Sequence, residues 1–454
     1  MKFKKTLVVG LAKTGLAAAK FLLKNGADVT VADINANQDA VRMAAQELNN
    51  LGATIELGPH NEQTFLNSDL IVLSPGVPHT IAPIVQAIAK GIPVIGETEL
   101  ASQFIHVPIV AITGTNGKTT TTELTGEMLR LSNKNVFVGG NIGTPLTELL
   151  LKQDNCDVVV LEVSSFQLDT IDTFCPNVAV ILNITEDHLN RYQDMGAYAA
   201  SKFKIFENQT SEHTAILNGQ DTYCMNTVAA IKSNIFWLDH PSPEFQNCSV
   251  NCQSTHTVDM PFNHRFDISN TPLTGHHNRQ NIAAAILASH AAGATVEGIQ
   301  AALNTFKGLP HRIEFVRKIN GISFYNDSKA TNVDAVVKAL SCFDSPVHLI
   351  LGGQDKGGDY STLIPLIQKH VCECILIGEA KTIIREGLQS QKISHIPITT
   401  ERALESAIMK AYENAISGDT VLLSPACASF DMFDSYKHRG EVFKDSVGRL
   451  GIKI

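Results

Sequence analysis

Residues 107–120 read VPIVAITGTNGKTT, an apolar run that leads into a loop with two glycines and ends in Lys118 and Thr119. The apolar run is typical of a buried β-strand, and a helical pattern follows the loop. Glycines between a strand and a helix let backbone N–H groups and the positive end of the helix face phosphate oxygens. Lysine can reach terminal phosphates, and the threonine hydroxyl can bind Mg²⁺. The segment therefore favours phosphate binding.

The match to the general phosphate-loop pattern is partial, because Ile112 stands where that pattern has a glycine. A glycine turn with a chance lysine is the alternative. The preceding strand, the following helix and the Gly-Lys-Thr ending favour a phosphate loop over it. The residues of this loop are Gly114, Thr115, Asn116, Gly117, Lys118, Thr119 and Thr120.

Strands and helices alternate on both sides of the loop. Predicted strands cover residues 6–10, 28–33, 70–73, 93–96, 107–113, 158–163, 178–183, 322–326, 347–352, 374–378 and 420–423. Predicted helices cover residues 11–25, 278–290, 296–306 and 334–341. Residues 236–268 are polar and are interpreted as short strands or loops. The alternation predicts an α/β protein with mostly parallel, doubly wound sheets.

Composition excludes several classes of protein. The chain has 454 residues, enough for about three domains. Its 36 Lys and Arg against 45 Asp and Glu give a net charge of −9 without a basic block, which argues against nucleic-acid binding. No apolar run reaches the roughly 18 residues of a membrane helix, and the run after the basic N-terminus is too short for an export signal. Nine scattered cysteines indicate reduced thiols in the cytoplasm rather than a disulfide framework.

Acidic and histidine residues follow two of the predicted strands. Glu162 lies within an apolar run, where a carboxylate is costly unless it is paired or bound to a metal. Asp187 and His188 follow the next strand, and ligands of α/β sheets bind beyond the carboxyl ends of strands. Glu162 and His188 are therefore candidate metal ligands. An ion pair for Glu162 and a capped loop for Asp187 and His188 explain these residues equally well.

A second loop, GLAKTG at residues 10–15, also joins a strand to a helix. It is similar to a dinucleotide fingerprint in which Ala12 replaces the middle glycine. Asp33 ends the next strand, where an acid can accept ribose hydroxyls. From these residues alone, NAD, another nucleotide and simple helix–strand packing are equally good explanations.

Further motifs follow in order along nearly the whole chain. They are SPG (74–76), TGTNGKT (113–119), GGNIG (139–143), EVSSFQL (162–168), NITEDH (183–188), GHHNRQN (275–281), GLPHR (308–312), NDSKATN (326–332) and SPACAS (424–429). With this ordered set, the chain resembles the Mur ligase family of bacterial cell-wall enzymes.

The resemblance implies three domains. A Rossmann-like N-terminal domain at residues 1–97 would bind a UDP-sugar, and a P-loop ATPase domain with a mostly parallel sheet would occupy residues 98–308. A Rossmann-like C-terminal domain at residues 309–454 would close over ATP and an amino acid.

The resemblance also assigns ligand contacts. It implies that the UDP-muramoyl substrate, rather than NAD, contacts Lys13, Thr14, Asp33, Ser74 and Asn141. Asn35 lies where relatives can carry a basic residue. ATP would be held by the phosphate loop together with Asn278, Asn281, Arg312, Asp327 and Lys329.

The amino acid is inferred from the segment SKATN at residues 328–332. Family members that add diaminopimelate often carry Asp-Asn-Pro-Arg, and those that add L-alanine carry Tyr-Gly-His-His-Pro, whereas this segment is similar to the members that add D-glutamate. By that resemblance the amino-acid site would be lined by Thr331, Lys356, Ser429, Phe430 and Tyr436. From the loop alone, Lys356 could equally form a solvated pair with Asp355 or Asp359.

The reaction implied by the resemblance is amide formation through an acyl phosphate, in a cytoplasmic and monomeric enzyme of peptidoglycan precursor synthesis. The substrates would be ATP, UDP-N-acetylmuramoyl-L-alanine and D-glutamate. Lys118, Glu162, His188 and Lys202 would be catalytic. Two Mg²⁺ ions are expected, with Thr119, Glu162, His188 and Lys202 as ligands.

Lys202 would bind metal as a carbamate. On a helix it shares a face with Phe206 and can point inward, where a buried amine loses its proton and can react with CO₂. Helix position alone favours a solvated lysine beside Lys204, and the resemblance reverses that preference.

Two other functions compete with the whole assignment. One is a different amino-acid ligase, such as a folylpolyglutamate-synthetase-like enzyme, and the other is a P-loop module that uses ATP only as a switch.

Overall fold

The computed structural model describes residues 5–152, 155–188, 191–389 and 396–451. The chain divides into two compact units. The first comprises Met1–Thr271 and Arg279–Phe306, and the second comprises Pro272–Asn278 and Lys307–Ile454.

The N-terminal part of the first unit is a five-stranded parallel sheet in the order β3-β2-β1-β4-β5. Its strands are β1 (Lys5–Val9), β2 (Asp28–Asp33), β3 (Thr54–Leu57), β4 (Leu70–Leu73) and β5 (Val94–Gly96). Its helices are α1 (Lys13–Lys24), α2 (Asp39–Asn50), α3 (Glu62–Leu66) and α4 (Ala82–Ala89). Because β1 pairs in parallel with both β2 and β4, the loops after these three strands lie together at one edge of the sheet.

Two glutamates anchor the connection to the central sheet. Helix α5 (Glu97–Ser102) follows β5 directly. Glu97 accepts hydrogen bonds from the backbone N–H and the hydroxyl of Thr147, at 2.6 and 2.8 Å. Glu99 accepts the backbone N–H groups of residues 172–174. Both carboxylates are buried, and these hydrogen bonds offset the cost of that burial.

The central sheet has seven parallel strands in the order β12-β11-β10-β9-β6-β8-β7. They are β6 (Ile109–Thr113), β7 (Val136–Gly140), β8 (Val158–Glu162), β9 (Val178–Ile181), β10 (Thr214–Asn218), β11 (Asn234–Leu238) and β12 (Ser249–Val250). A two-stranded antiparallel ribbon follows, formed by β13 (Thr257–Met260) and β14 (His264–Asp267). The helices are α6 (Lys118–Arg130), α7 (Leu146–Lys152), α8 (Ser165–Leu168), α9 (Met195–Phe203), α10 (Thr222–Thr227), α11 (His276–Ala291) and α12 (Val296–Thr305).

Strand β6 lies between β8 and β9, and it is buried along its whole length. This position explains its continuous apolar sequence, since a central parallel strand is covered on both faces. The same pairing brings the phosphate loop after β6 beside Glu162 at the end of β8 and Asn183 just after β9.

The second unit holds a mixed six-stranded sheet in the order β15-β16-β20-β17-β18-β19. Its strands are β15 (Glu314–Ile319), β16 (Ile322–Asn326), β17 (Val347–Gly352), β18 (Val371–Ile377), β19 (Ile398–Thr400) and β20 (Thr420–Leu423). Its helices are α13 (Val333–Leu340), α14 (Ile364–His370), α15 (Lys381–Gln389), α16 (Leu404–Asn414) and α17 (Tyr436–Arg449). Strand β20 pairs in parallel with β16 and β17, so the loops after these three strands are neighbours.

The predicted α/β class and mostly parallel sheets are confirmed. Strand bounds agree to the residue at 28–33, 70–73, 322–326, 347–352 and 420–423. One difference is the edge strand β15, which pairs antiparallel with β16 and makes the third sheet mixed. Among the described residues no helix is long and apolar enough to span a membrane, and all nine cysteines are free thiols.

Candidate active site

The loop between β6 and α6 adopts the backbone of a phosphate loop. Gly114 and Gly117 have φ values of 144° and 88°, a region that favours glycine. A Cβ atom at Gly117 would also overlap the side-chain oxygen of Asn281. Both the backbone conformation and the nearby Asn281 side chain therefore require glycine at position 117. Asn281 of helix α11 lies against the loop, and its contact with ATP stays a prediction.

Asn183, just after β9, holds this loop in place. Its side chain accepts the N–H of Asn116 and donates to the carbonyl of Asn116, both at 2.9 Å, and its own carbonyl accepts the N–H of Thr115 at 2.8 Å. The Lys118 ammonium donates to the carbonyls of Gly114 and Thr115, at 2.9 and 2.8 Å. The sequence shows Asn183 as part of a family motif, but it does not reveal that this residue pairs with a loop 67 residues earlier.

Glu162 brings together predicted residues from three elements. It is only 3% exposed at the end of β8. Its two carboxylate oxygens accept hydrogen bonds from the Thr119 hydroxyl and the Asn141 amide, each at 2.7 Å. Asn141 also lines the cavity of the N-terminal sheet described below, so this side chain connects the carboxylate to that cavity.

His188 lies in the loop after β9 with a left-handed backbone, φ 58°. Its backbone N–H donates to Asp187 Oδ1 at 2.9 Å. Its ring packs edge-on against the Phe166 ring, with 4.8 Å between the ring centres. These contacts agree with a capped loop. The role of His188 as a metal ligand stays a prediction.

Lys202 points inward, as predicted, and is only 1% exposed. Its ammonium donates to the Gly114 carbonyl at 3.0 Å and lies 4.5 Å from the centre of the Tyr198 ring. Burial, reinforced by the nearby charge of Lys118, holds the pKa of Lys202 well below the usual lysine value. The alternative of a solvated lysine is therefore wrong.

The carboxyl edge of the N-terminal sheet opens into a cavity of about 680 Å³, within the size range of small-ligand sites. Thr14, Asp33, Ser74 and Asn141 line it as predicted, whereas Lys13 is exposed and is not among the lining residues. The Asp33 carboxylate accepts the backbone N–H groups of Leu11 and Asn35, at 2.7 and 2.8 Å. Lining residues that sequence reasoning missed are Ile34, His60, Ile81 and Gln167.

Asp327 is the buried centre of the predicted residues in the second unit. It accepts the Ser424 hydroxyl at 2.8 Å and the Ile313 N–H at 3.2 Å. Burial raises its pKa to about 7, against the lowering effects of Ser424 and Arg312. Arg312 Nε is buried without a hydrogen-bond partner among the described residues, which is unusual for a buried donor.

The predicted amino-acid residues lie on the loops after β16, β17 and β20, except Tyr436, which is the first residue of helix α17. Residues 354 and 428 exchange backbone hydrogen bonds at 2.9 and 3.0 Å, which joins the loop of Lys356 to that of Ser429. Ser429 is buried, whereas Phe430 is 70% exposed. The Lys329 ammonium lies 5.7 Å from the centre of the Tyr436 ring.

Thr331, which was predicted to contact the amino acid, forms no hydrogen bond with the other predicted amino-acid residues in the described part of the chain. The side-chain amide of Asn278, which was predicted to contact ATP, donates to the Thr274 carbonyl at 2.7 Å. Lys356 is exposed and forms no ion pair with a described residue. Asp355 and Asp359 instead accept hydrogen bonds from Tyr360 and Ser361. The solvated pair proposed as the alternative for Lys356 is therefore not found.

Three family models match the chain. Residues 4–96 match the Mur ligase MurD-like N-terminal domain, residues 112–289 the Mur ligase middle domain, and residues 311–427 the glutamate ligase domain of Mur ligases.

Curated relatives match over the full length. The UDP-N-acetylmuramoylalanine–D-glutamate ligase of Desulfatibacillum aliphaticivorans is 48% identical over 451 residues, 99% of each chain. The enzyme of the same name from Desulfosudis oleivorans is 47% identical and covers 98% of this chain and 96% of its own. The crystal structure of MurF ligase from Thermotoga maritima in complex with ADP is similar in fold, with TM-score 0.64 and 18% identity over 93% of this chain and 95% of that one.

Proposed function

The chain belongs to the Mur ligase family, and on that premise we propose that it is an ATP-dependent ligase that joins D-glutamate to UDP-N-acetylmuramoyl-L-alanine. The products are UDP-N-acetylmuramoyl-L-alanyl-D-glutamate, ADP and phosphate, in the synthesis of peptidoglycan precursors. The observation that carries the proposal is the 48% identity over 99% of both chains with a relative of that name.

ATP phosphates bind at the loop after β6. The N–H groups of the first turn of α6 face them, and Lys118 exchanges the carbonyl oxygens of Gly114 and Thr115 for phosphate oxygens. Thr120 contributes only its backbone amide, because its side chain is completely buried. Arg312, with its unpartnered Nε, is suited to an anionic ligand.

The donor set around Glu162 fits Mg²⁺. A buried carboxylate and the Thr119 hydroxyl lie within hydrogen-bonding distance of each other, and oxygen ligands are those that Mg²⁺ prefers. Thr119, Glu162, His188 and the carbamate of Lys202 hold up to two ions. Bound Mg²⁺ supplies neutralisation of charge on the phosphoryl oxygens.

Lys202 has the environment that carbamate formation needs. Only a neutral amine attacks CO₂: its lone pair forms the N–C bond, and one proton is lost to give the carbamate anion. Burial and the charge of Lys118 both favour the neutral amine. The modification places a negative charge beside the ammonium of Lys118.

Amide formation then proceeds in two steps. The substrate carboxylate attacks the γ-phosphorus and ADP leaves, which forms an acyl phosphate. The amine of D-glutamate attacks the acyl carbon and phosphate leaves. Lys118 and the loop N–H groups stabilise the charge that develops on the phosphoryl oxygens.

The substrates are divided among the three predicted domains, 1–97, 98–308 and 309–454. The cavity lined by Thr14, Asp33 and Ser74 takes the UDP end of the muramoyl substrate. D-Glutamate contacts Thr331, Lys356, Ser429, Phe430 and Tyr436, and Lys356 binds one of its carboxylates. A cytoplasmic, monomeric enzyme stays a prediction from sequence.

The test is the substrate dependence of ADP release by the purified chain. A ligase releases ADP only when UDP-N-acetylmuramoyl-L-alanine and D-glutamate are both present. ADP release from ATP alone would support the nucleotide switch instead. ADP release that needs another amino acid would indicate a different ligase.

A further inference from the structure

Arg439, three residues into helix α17, is the largest charged side chain that is completely buried among the described residues, with 0% exposure. Its guanidinium donates five hydrogen bonds. They run from Nε to Ser328 Oγ (2.9 Å), from Nη2 to Ser328 O (2.9 Å) and Cys427 O (3.1 Å), and from Nη1 to Ala428 O (3.3 Å) and Gly352 O (3.5 Å).

Four of these acceptors belong to the loops after β16 and β20, and the fifth, Gly352 O, belongs to the last residue of β17. Ser328 lies between Asp327 and Lys329, Gly352 lies four residues before Lys356, and Ala428 directly precedes Ser429. One side chain therefore touches two of the loops that carry a proposed amino-acid contact and the strand end from which the third begins. The loop after β16 is also joined directly to the start of helix α17, since the Ser328 hydroxyl donates to the Tyr436 carbonyl at 2.8 Å.

The five acceptors of Arg439 are all uncharged. Burying a cation without a hydrogen-bonded carboxylate is costly, and well-packed apolar side chains often stabilise a core at least as well. What the guanidinium offers instead is five donors in a fixed planar fork, which lysine lacks. That geometry suits one group that must fix several loops relative to one another.

We propose that Arg439 is a positioning residue that holds the three loops in the arrangement needed for D-glutamate to be bound and presented to the acyl phosphate. The inference rests on the proposed function for the identity of the amino acid. The holding of the loops is a property of the chain alone. If Arg439 only stabilised the fold, its replacement would instead reduce kcat/KM for all three substrates equally.

The experiment compares Arg439→Lys and Ser328→Ala with the control Arg449→Lys, which makes the same chemical change at an exposed site of the same helix. Ser328→Ala removes one donor bond and one acceptor bond without opening a cavity of arginine size, so it remains informative if Arg439→Lys folds poorly. Thermal unfolding reports folding, and steady-state kinetics separate KM for each substrate from kcat.

For Arg439→Lys we expect kcat/KM for D-glutamate to fall by about 10²-fold, the loss typical of misplaced binding groups. For Ser328→Ala we expect a fall of about 2- to 12-fold, the worth of one hydrogen bond. KM for the UDP-substrate should change much less, and KM for ATP should rise less than KM for D-glutamate, since only the loop of Ser328 carries proposed ATP contacts, Asp327 and Lys329. Amide hydrogen exchange without ligands should become faster in the three loops and stay unchanged in β10.

Wild-type kinetics and loop exchange in both variants would overturn the proposal, as would an equal loss for all three substrates together with a lowered melting temperature. If the wild-type chain does not consume D-glutamate, the proposed function fails. The ligand-free exchange measurement still decides in that case whether Arg439 holds the loops.

Discussion

Replacing Lys356 by alanine tests the proposed amino-acid site at its most exposed charged contact. Lys356 lies in the glycine-rich loop after β17, and that loop is joined to the loop of Ser429 by the two backbone hydrogen bonds between residues 354 and 428. The lysine forms no ion pair or hydrogen bond with a described residue, so its removal breaks no such contact of the folded chain. The change should therefore report on the ligand rather than on folding.

A charge-assisted hydrogen bond contributes about 1.5–3 kcal/mol, which corresponds to about a 10- to 150-fold loss of affinity. Lys356 is exposed, and solvent screens exposed charges, so we expect the lower half of that range. KM for D-glutamate should rise by about 10- to 40-fold in Lys356→Ala. Lys356→Arg keeps the positive charge, so its KM for D-glutamate should rise less.

The assay is steady-state ADP release with D-glutamate varied at saturating ATP and UDP-substrate, backed by direct binding measurements. Lys369→Ala is the matched control, an exposed lysine on the last turn of α14. A mutant with the wild-type KM for D-glutamate, or one impaired mainly in ATP binding, would remove Lys356 from the amino-acid site and weaken the assignment of D-glutamate.

Two further predictions concern buried titratable groups. The Lys202→Ala variant should lose most of its turnover, and a short carboxylate such as formate should restore part of it. The control Lys204→Ala should retain activity. High turnover of Lys202→Ala without added carboxylate would exclude the carbamate. Burial alone would lower the pKa of His348, but hydrogen bonds to Cys372, Glu373 and Asp419 raise it to about 10. The stability that this protonated imidazole contributes is fully present below about pH 6.5 and is lost as the pH rises towards 10. The urea midpoint of unfolding should therefore fall over that pH range, and it should fall less in His348→Gln. Equal slopes of urea midpoint against pH for the two proteins would contradict the prediction.

Much of the fold was predictable because its signals are local. Strands β4, β17 and β20 are short, mainly apolar runs, whereas β2 and β16 alternate apolar and polar residues. The Gly-Lys-Thr loop is a local signal for phosphate binding. Strand β15 was not predicted, since its sequence EFVRKI is mixed and largely exposed at the sheet edge. Helix α17 was missed because its apolar residues are few, with Phe443 and Val447 as the buried pair.

The candidate site was less predictable, because its contacts join distant parts of the chain. The sequence favours an ion pair and a metal ligand equally for Glu162, and its observed partners are the uncharged side chains of Thr119 and Asn141. Lys13 lies in the right motif but is not among the residues that line the cavity. Arg439 gave no signal, since arginine is rarely buried and its acceptors are mostly backbone carbonyls up to 111 residues away.

The central claim is most directly tested by the identity and configuration of the amino acid that is added. The purified chain is incubated with ATP, UDP-N-acetylmuramoyl-L-alanine and either D- or L-glutamate, and the nucleotide-sugar products are measured by mass spectrometry beside the ADP released. The predicted result is one glutamyl addition and one ADP per product with D-glutamate, and little product with L-glutamate. Equal product from L-glutamate, or no product from D-glutamate, would contradict the account.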